Sequence, residues 1–328
     1  ETPGGLRIQT IHSFCASLLR RFPLEAGVSP GFTEIDEITR RQLIRDVLDG
    51  MAEGEGQAAL RGFVAAVGDG DALKMVERLA DLRRDLVVQD RAAILEALGV
   101  ESGLTIRDLN RSALQGLPED WQAETVASLI KTGSDKDGKI AAALAATVLA
   151  EENAGMLQAL EPALLLGATA ATPFGPKTPT KAWGKANPAL LETFSTLAER
   201  VAALRPHRLT LRTAEAAVAL AEFARAFLPR FAEAKARRGW LDFDDLIQRA
   251  EGLVTNPDVA AWVLFRLDGG IDHILVDEAQ DTSPAQWRVI DLLTQEFTAG
   301  LGARGERRTL FVVGDKKQSI YSFQGADV

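Results

Sequence analysis

The sequence predicts an α/β protein, with a parallel sheet, incomplete as it stands, interrupted by a large and mainly α-helical insert. Three observations carry that reading. The apolar run Ile274-Leu275-Val276 leads straight into Asp277-Glu278-Ala279-Gln280-Asp281-Thr282, and strands buried on both faces read as continuous apolar runs. Further on, Thr309-Leu310-Phe311-Val312-Val313 repeats the arrangement and ends in Gly314-Asp315. Two such strands would set both polar tips along one rim, where open α/β sheets hold ligands. Between the ends of the chain, residues 39–211 are rich in alanine and dominated by helical periodicity, with few β-branched runs.

In chain order, residues 6–10 alternate apolar and polar, which predicts a short strand, and residues 14–22 have helical spacing. Phe32-Thr33-Glu34-Ile35 reads as a second short strand, and Asp36-Glu37 opens a helix. Leu43, Val47 and Leu48 form one apolar stripe, and Leu73, Val76, Leu79 and Leu82 another, with Arg-Arg pairs and Asp neighbours filling solvated faces. Residues 168–188 hold Pro173, Pro176, Pro179 and Pro188 beside Lys177, Lys181 and Lys185. They read as a solvated connector first and as a source of phosphate contacts second. Residues 213–238 predict a helix with Val218, Phe223, Phe227 and Phe231 near one face, kinked or broken at Pro229. Such an aromatic stripe belongs to a core rather than a ligand site. Trp240-Leu241-Asp242-Phe243-Asp244-Asp245-Leu246 then returns the chain to the sheet, its carboxylates suited to the start of a helix near Asp244.

Composition bounds the function. A length of 328 residues supports a full core and two domains, and 37 basic against 46 acidic residues give a net charge of −9. That charge provides no general attraction to nucleic acid, so any DNA contact must be local. The single cysteine, Cys15, excludes a disulfide framework and suits a reducing cytoplasm. His12, His207 and His273 are scattered without thiolate company, so no zinc-ligand spacing exists. No signal pattern is visible, and the longest apolar stretch, residues 140–150, is too short to span a bilayer.

At a strand tip, Asp277 suits the acidic anchor of a nucleotide-bound Mg²⁺, and Glu278 could orient or deprotonate a water. For the pair alone a solvated acidic turn is the plainer reading. Gln318 can donate to a phosphate oxygen, and Phe323 offers a face on which a base could stack. Thr10 and His12, taken alone, read as a helix cap and a half-buried residue at the helix start. Two further segments mimic nucleotide motifs. Gly133-Ser134-Asp135-Lys136-Asp137-Gly138-Lys139 follows the phosphate-loop pattern, but Ile140 stands where Ser or Thr is needed and no strand precedes it. Gly300-Leu301-Gly302-Ala303-Arg304-Gly305 matches the dinucleotide fingerprint but lies before a strand, so it reads as a connector.

Asp277 to Thr282, followed by Val313-Gly314-Asp315-Lys316-Lys317-Gln318-Ser319-Ile320-Tyr321-Ser322-Phe323-Gln324-Gly325-Ala326-Asp327, resembles motifs II and III of superfamily 1 DNA helicases of the UvrD/RecB type. Thr10-Ile11-His12-Ser13-Phe14-Cys15 and Leu241-Asp242-Phe243-Asp244-Asp245-Leu246 resemble two further segments of that family, in the family's order. The fuller wording is most like the AddA branch, the helicase–nuclease subunits of bacterial double-strand-break repair. The resemblance implies a P-loop NTPase (RecA-like) sheet. Residues 1–38 would be the first part of domain 1A, 39–211 the helical inserted domain 1B, and 212–328 the remainder of 1A. It implies an ATP-dependent 3′–5′ helicase that uses ATP and Mg²⁺, single-stranded DNA, duplex ends and an AddB-type partner subunit.

By the same resemblance Asp277 anchors Mg²⁺ through water, Glu278 activates the attacking water and Gln318 senses the γ-phosphate. Gln280, Asp281 and Asp315 couple nucleotide and Mg²⁺ to movement, and Thr10, His12, Tyr321 and Phe323 contact DNA. Many relatives carry Arg where Gln324 stands, which puts any charge contact there in doubt. The phosphate-loop lysine, the second RecA-like half and a nuclease domain are absent, the chain does not begin with Met, and it stops just after motif III. An internal piece of a longer protein, unable to hydrolyse ATP alone, is therefore expected. Two alternatives stay open: a UvrD-like repair helicase without a nuclease, and a non-catalytic module whose insert recruits DNA or a partner. A Gly-x-x-x-x-Gly-Lys-Ser/Thr upstream would favour the motor over the module.

Overall fold

A computed structural model describes residues 8–68, 70–84, 86–260, 262–263, 266, 273–298 and 309–315. The first elements in chain order are α1 (Ile11–Arg21), β1 (Thr33–Glu34), α2 (Glu37–Glu53), α3 (Gln57–Val67) and α4 (Ala72–Leu82). Then come α5 (Arg91–Ala97), α6 (Ile106–Leu114), α7 (Trp121–Ile130), α8 (Asp135–Ala145), α9 (Met156–Leu164), α10 (Lys181–Ala186) and α11 (Pro188–Arg238). β2 (Trp240–Leu241), α12 (Phe243–Thr255), β3 (His273–Val276), a 3₁₀ turn (Ala279–Asp281), α13 (Pro284–Thr298) and β4 (Thr309–Val312) follow. The described fold is mostly helical with a small parallel sheet component. It divides into two compact units, one formed by Glu1–Gln57, Leu73–Asp85 and Ala226–Val328, the other by Ala58–Ala72 and Leu86–Arg225.

In the first unit, α1 begins where Thr10 caps it, its side chain accepting from the Ser13 N–H at 3.2 Å. Cys15, Ala16, Leu18 and Leu19 fall on one face of α1 and are buried, while Ser13, Ser17 and Arg20 face solvent. That face packs with Leu246, Ala250 and Leu253 of α12 and with Val289 and Leu293 of α13. The expected strand over residues 6–10 is not seen in its described part, residues 8–10; Thr10 has instead committed its side chain to the helix start. β1 pairs in parallel with β2 (Thr33 opposite Trp240), and β3 with β4, from His273 opposite Thr309 to Val276 opposite Val312. Parallel partners so far apart in sequence require a long intervening chain, and here the whole second unit lies between β1 and β2.

The second unit is helical around Trp121, Leu129, Ile140, Leu144, Leu160, Trp183, Phe194 and Leu197. Trp183 donates its ring N–H to Ser128 Oγ at 2.9 Å. The phosphate-loop mimic forms the start of α8. Ser134 caps it, and buried Asp137 accepts from Thr180 through both N–H (2.8 Å) and Oγ (2.6 Å). α7 precedes this turn, so the strand a phosphate loop needs is replaced by a helix.

The helix predicted over residues 213–238 is longer than its pattern suggested. α11 runs unbroken for 51 residues and passes through both Pro206 and Pro229. Proline removes one N–H and crowds the carbonyl four residues back. Burial of Phe223, Phe227 and Phe231 outweighs that cost, with Phe63 stacked on Phe223 at 4.3 Å in one unit and Phe227 on Phe231 at 5.6 Å in the other. Among the described residues, no helix is long and apolar enough to cross a membrane.

Candidate active site

The carboxyl ends of β3 and β4 are joined by two backbone bonds, Val313 N–H to Val276 O (2.8 Å) and Ala279 N–H to Val313 O (2.9 Å). They bring the Asp277-Glu278 tip against Gly314-Asp315. Asp277 is exposed and accepts the Glu278 N–H at 3.0 Å. Glu278 takes a left-handed conformation, φ 52° and ψ 43°, which costs a non-glycine residue about 1–2 kcal/mol. Ties on either side hold it there. The Asp281 N–H donates to the Glu278 carbonyl at 2.9 Å, and Gln280 Nε2 donates to Glu278 Oε2 at 2.5 Å. The other end of the same amide, Gln280 Oε1, accepts the Asp315 N–H at 3.0 Å.

Gly314 is where this arrangement is tightest. A Cβ there would lie 2.8 Å from Gln280 Oε1 and 3.0 Å from Ala279 Cβ, with the Ala279 nitrogen at 3.2 Å. Sequence reasoning placed Gly314 at the tip without giving it a role; a lone Gly after an apolar strand, opposite another strand tip, is the signal that could have done so, although β4, expected to be buried, is exposed along its length. Asp281 has one buried carboxylate oxygen, Oδ1, without a hydrogen-bond partner among the described residues.

Thr10 and His12 sit elsewhere in the unit. His12 is half-buried, its ring 4.9 Å from that of Phe243. Burial pushes its pKa below the ordinary 6.5, against the opposing pull of Asp244 and Glu34. Its described contacts therefore run to the start of α12, not to the strand tips. Gln318, Tyr321, Phe323 and Gln324 lie outside the described residues, as does the segment 300–305.

The start of α12 carries a charged network that the sequence did not reveal. Asp242 caps the helix in a reciprocal box with Asp245, so α12 starts at Phe243. Asp242 also binds Lys235 at 2.8 Å and Arg83 at 2.6 Å, and Lys235 also pairs with Asp245. Arg83 reaches Asp245 at 3.1 Å and Asp244 at 3.2 Å, while Arg40 binds Asp81 at 2.5 Å. The expectation that the Arg-Arg pairs lie on solvated faces fails at Arg40 and Arg83, whose side chains are only 7% and 14% exposed. Burial alone would raise the Asp242 pKa, but Arg83 and Lys235 beside it hold the carboxyl down at about 2. Desolvation pushes Asp244 above its ordinary value, against the pull of Arg83 and with a further push from Asp242.

A hard cation held through water and phosphate oxygens asks the protein for one or two exposed carboxylates. Asp277, exposed at a strand tip, fits that requirement. Among the described residues, no group of three or more His, Cys, Asp or Glu side chains could hold a metal ion. Parallel strands with paired acidic tips, in a mostly helical chain, define the class as an α/β domain with a strand-tip site. Residues 3–328 match the UvrD/REP helicase N-terminal domain, and the chain belongs to that family.

Its relatives are larger proteins. It is 28% identical over 368 residues to an ATP-dependent helicase/nuclease subunit of Lactobacillus delbrueckii subsp. bulgaricus, an alignment covering 98% of this chain and 28% of that protein. It is 40% identical over 107 residues to the RecB component of the RecBCD enzyme of Mycolicibacterium smegmatis, covering 33% of this chain and 9% of the relative. Against the corresponding ATP-dependent helicase/nuclease subunit of Listeria monocytogenes the identity is 37% over 108 residues, covering 33% and 8%. The chain thus spans about a quarter or less of these proteins' lengths.

Proposed function

We propose that this chain is part of the motor of an ATP-driven 3′–5′ DNA helicase of the AddA type, a cytoplasmic helicase–nuclease component working in double-strand-break repair with an AddB-type partner. The observation that carries the reading is the Asp277-Glu278 tip, joined through Gln280 to Gly314-Asp315 at the ends of two parallel strands. In this reading residues 39–211 are inserted domain 1B, and residues 1–38 and 212–328 contribute to domain 1A. The exposure of Leu275 (63%) and Phe311 (62%) supports a sheet completed by more of a longer protein, since parallel strands are normally covered on both faces.

Asp277 would hold Mg²⁺ through water, and Gln280, Asp281 and Asp315 would couple nucleotide and ion to movement. Bound with ATP, the ion supplies charge neutralisation on the phosphate oxygens. Glu278, as an exposed carboxylate held in one conformation, orients and deprotonates the attacking water. Gln318 contacts the γ-phosphate. Thr10 and His12 meet the DNA backbone, and Phe323, supported by Tyr321, stacks on a base. Stacking is worth roughly 1–3 kcal/mol per base and tolerates any sequence, as a translocase requires.

The test is binding of fluorescent single-stranded DNA to the chain across a salt series, wild type against Phe323→Ala. Salt-sensitive binding weakened by the substitution is expected. Binding that is indifferent to both salt and Phe323 would contradict the assignment.

A further inference from the structure

We propose that Gln280 and Gly314 are positioning residues: the Gln280 amide locks the Glu278 carboxylate to the Gly314-Asp315 backbone, so that the segment leaving β4 governs the orientation of Glu278. The catalytic consequence rests on the role proposed above for Glu278, but the lock itself stands on geometry alone.

A carboxylate only accepts hydrogen bonds and a backbone N–H only donates. Gln280 stands between one of each, at 2.5 Å from Glu278 Oε2 and 3.0 Å from the Asp315 nitrogen. A primary amide satisfies both, and the two bonds together fix which end of the amide is which. Glutamate would keep the acceptor for Asp315 but set a second carboxylate against Glu278. Alanine would remove both links.

Gly314 completes the device for a steric reason. Its φ is not among the positive values, so backbone conformation does not demand glycine there. Space does, because a Cβ would stand 2.8 Å from Gln280 Oε1 and 3.0 Å from Ala279 Cβ. Any side chain at Gly314 must push the amide off Asp315. The left-handed Glu278 would then lose the neighbour that fixes its side chain.

The experiment is backbone amide exchange of the chain by NMR, for wild type, Gln280→Ala, Gln280→Glu and Gly314→Ala. Gln280→Ala and Gly314→Ala should speed exchange of the Asp315 N–H by about tenfold, the equivalent of one hydrogen bond. Gln280→Glu should keep that amide protected, a rescue that a general loss of packing would not produce. Glu278→Gln should shift the Gln280 side-chain NH₂ resonances. In the Gln280 variants the Val313 and Ala279 amides, bonded to backbone carbonyls, should stay protected, and in Gly314→Ala the Val313 amide should. Unchanged Asp315 exchange in both Gln280→Ala and Gly314→Ala would overturn the lock, and so would equal acceleration of all the strand-tip amides.

A second arm measures ATP turnover in the full-length protein, where Gln280→Ala and Gly314→Ala should lower kcat more than they change KM. Absence of turnover in the wild type would defeat the proposed function while leaving the exchange result to decide the lock. Full turnover in both variants would overturn their positioning role.

Discussion

Arg83 and Asp242, 159 residues apart in sequence, meet at 2.6 Å at the buried start of α12. The pair ties the stretch Leu73–Asp85 to the part of the same unit that begins at Ala226. Removing Arg83 takes one of two close cations from buried Asp242 and leaves Lys235 at 2.8 Å, so the cost falls short of the about 3–5 kcal/mol of a fully stranded charge. Arg83→Met is therefore expected to lower the urea midpoint by the equivalent of about 2 kcal/mol with an unchanged slope. A loss below about 1 kcal/mol would show that the network behaves as a surface pair does.

The same network sets an acid limit. Asp242 titrates at about 2 in the fold against an ordinary 3.8. A depressed carboxyl stabilises the fold above its unfolded pKa and loses that contribution as pH falls through the folded value. Between pH 3.8 and about 2 the wild type should lose on the order of 2 kcal/mol that Asp242→Asn does not lose. Asp244, raised by burial, acts in the opposite sense. Because Asp242 also raises the Asp244 pKa, the difference between the two proteins reports Asp242 together with its push on Asp244. Parallel unfolding curves for both across that window would contradict the assignment.

His12 offers a local probe of the α1–α12 contact. Burial lowers its pKa below 6.5, and the Phe243 ring lies 4.9 Å away. Phe243→Ala should open the site to water and raise the His12 pKa toward 6.5, read from the imidazole protons by NMR. An unchanged titration would mean that burial by other groups sets the value.

Pro229, exposed within α11, leaves the helix one N–H short. Pro229→Ala restores a donor toward the Arg225 carbonyl and is expected to stabilise the protein by about 1–3 kcal/mol in thermal or urea unfolding. A destabilised variant would show that this turn is built around the proline ring.

What could be read from the sequence divides by range. Local signals were legible: Thr10 as a cap, the helical spacing of residues 14–22, the helix opening at Asp36-Glu37, the apolar runs of β3 and β4, and helix rather than strand before Gly133. Cooperation between distant residues was not. Arg83 looks like any solvated arginine until a partner 159 residues away is known. A break at Pro229 does not occur, because one lost N–H has to be weighed against the buried aromatic face of α11. Asp277 and Glu278 were legible as a pair, but the Gln280 amide that hydrogen-bonds both Glu278 and the Asp315 N–H needed the register of two strands.

ATP turnover by the full-length protein, with and without single-stranded DNA, compared between wild type and Glu278→Gln, tests the central claim most directly. Turnover stimulated by DNA in the wild type, and lowered by about 10²- to 10⁴-fold in the variant with ATP binding retained, is expected when a general base is removed. Equal turnover in the two full-length proteins would contradict the account.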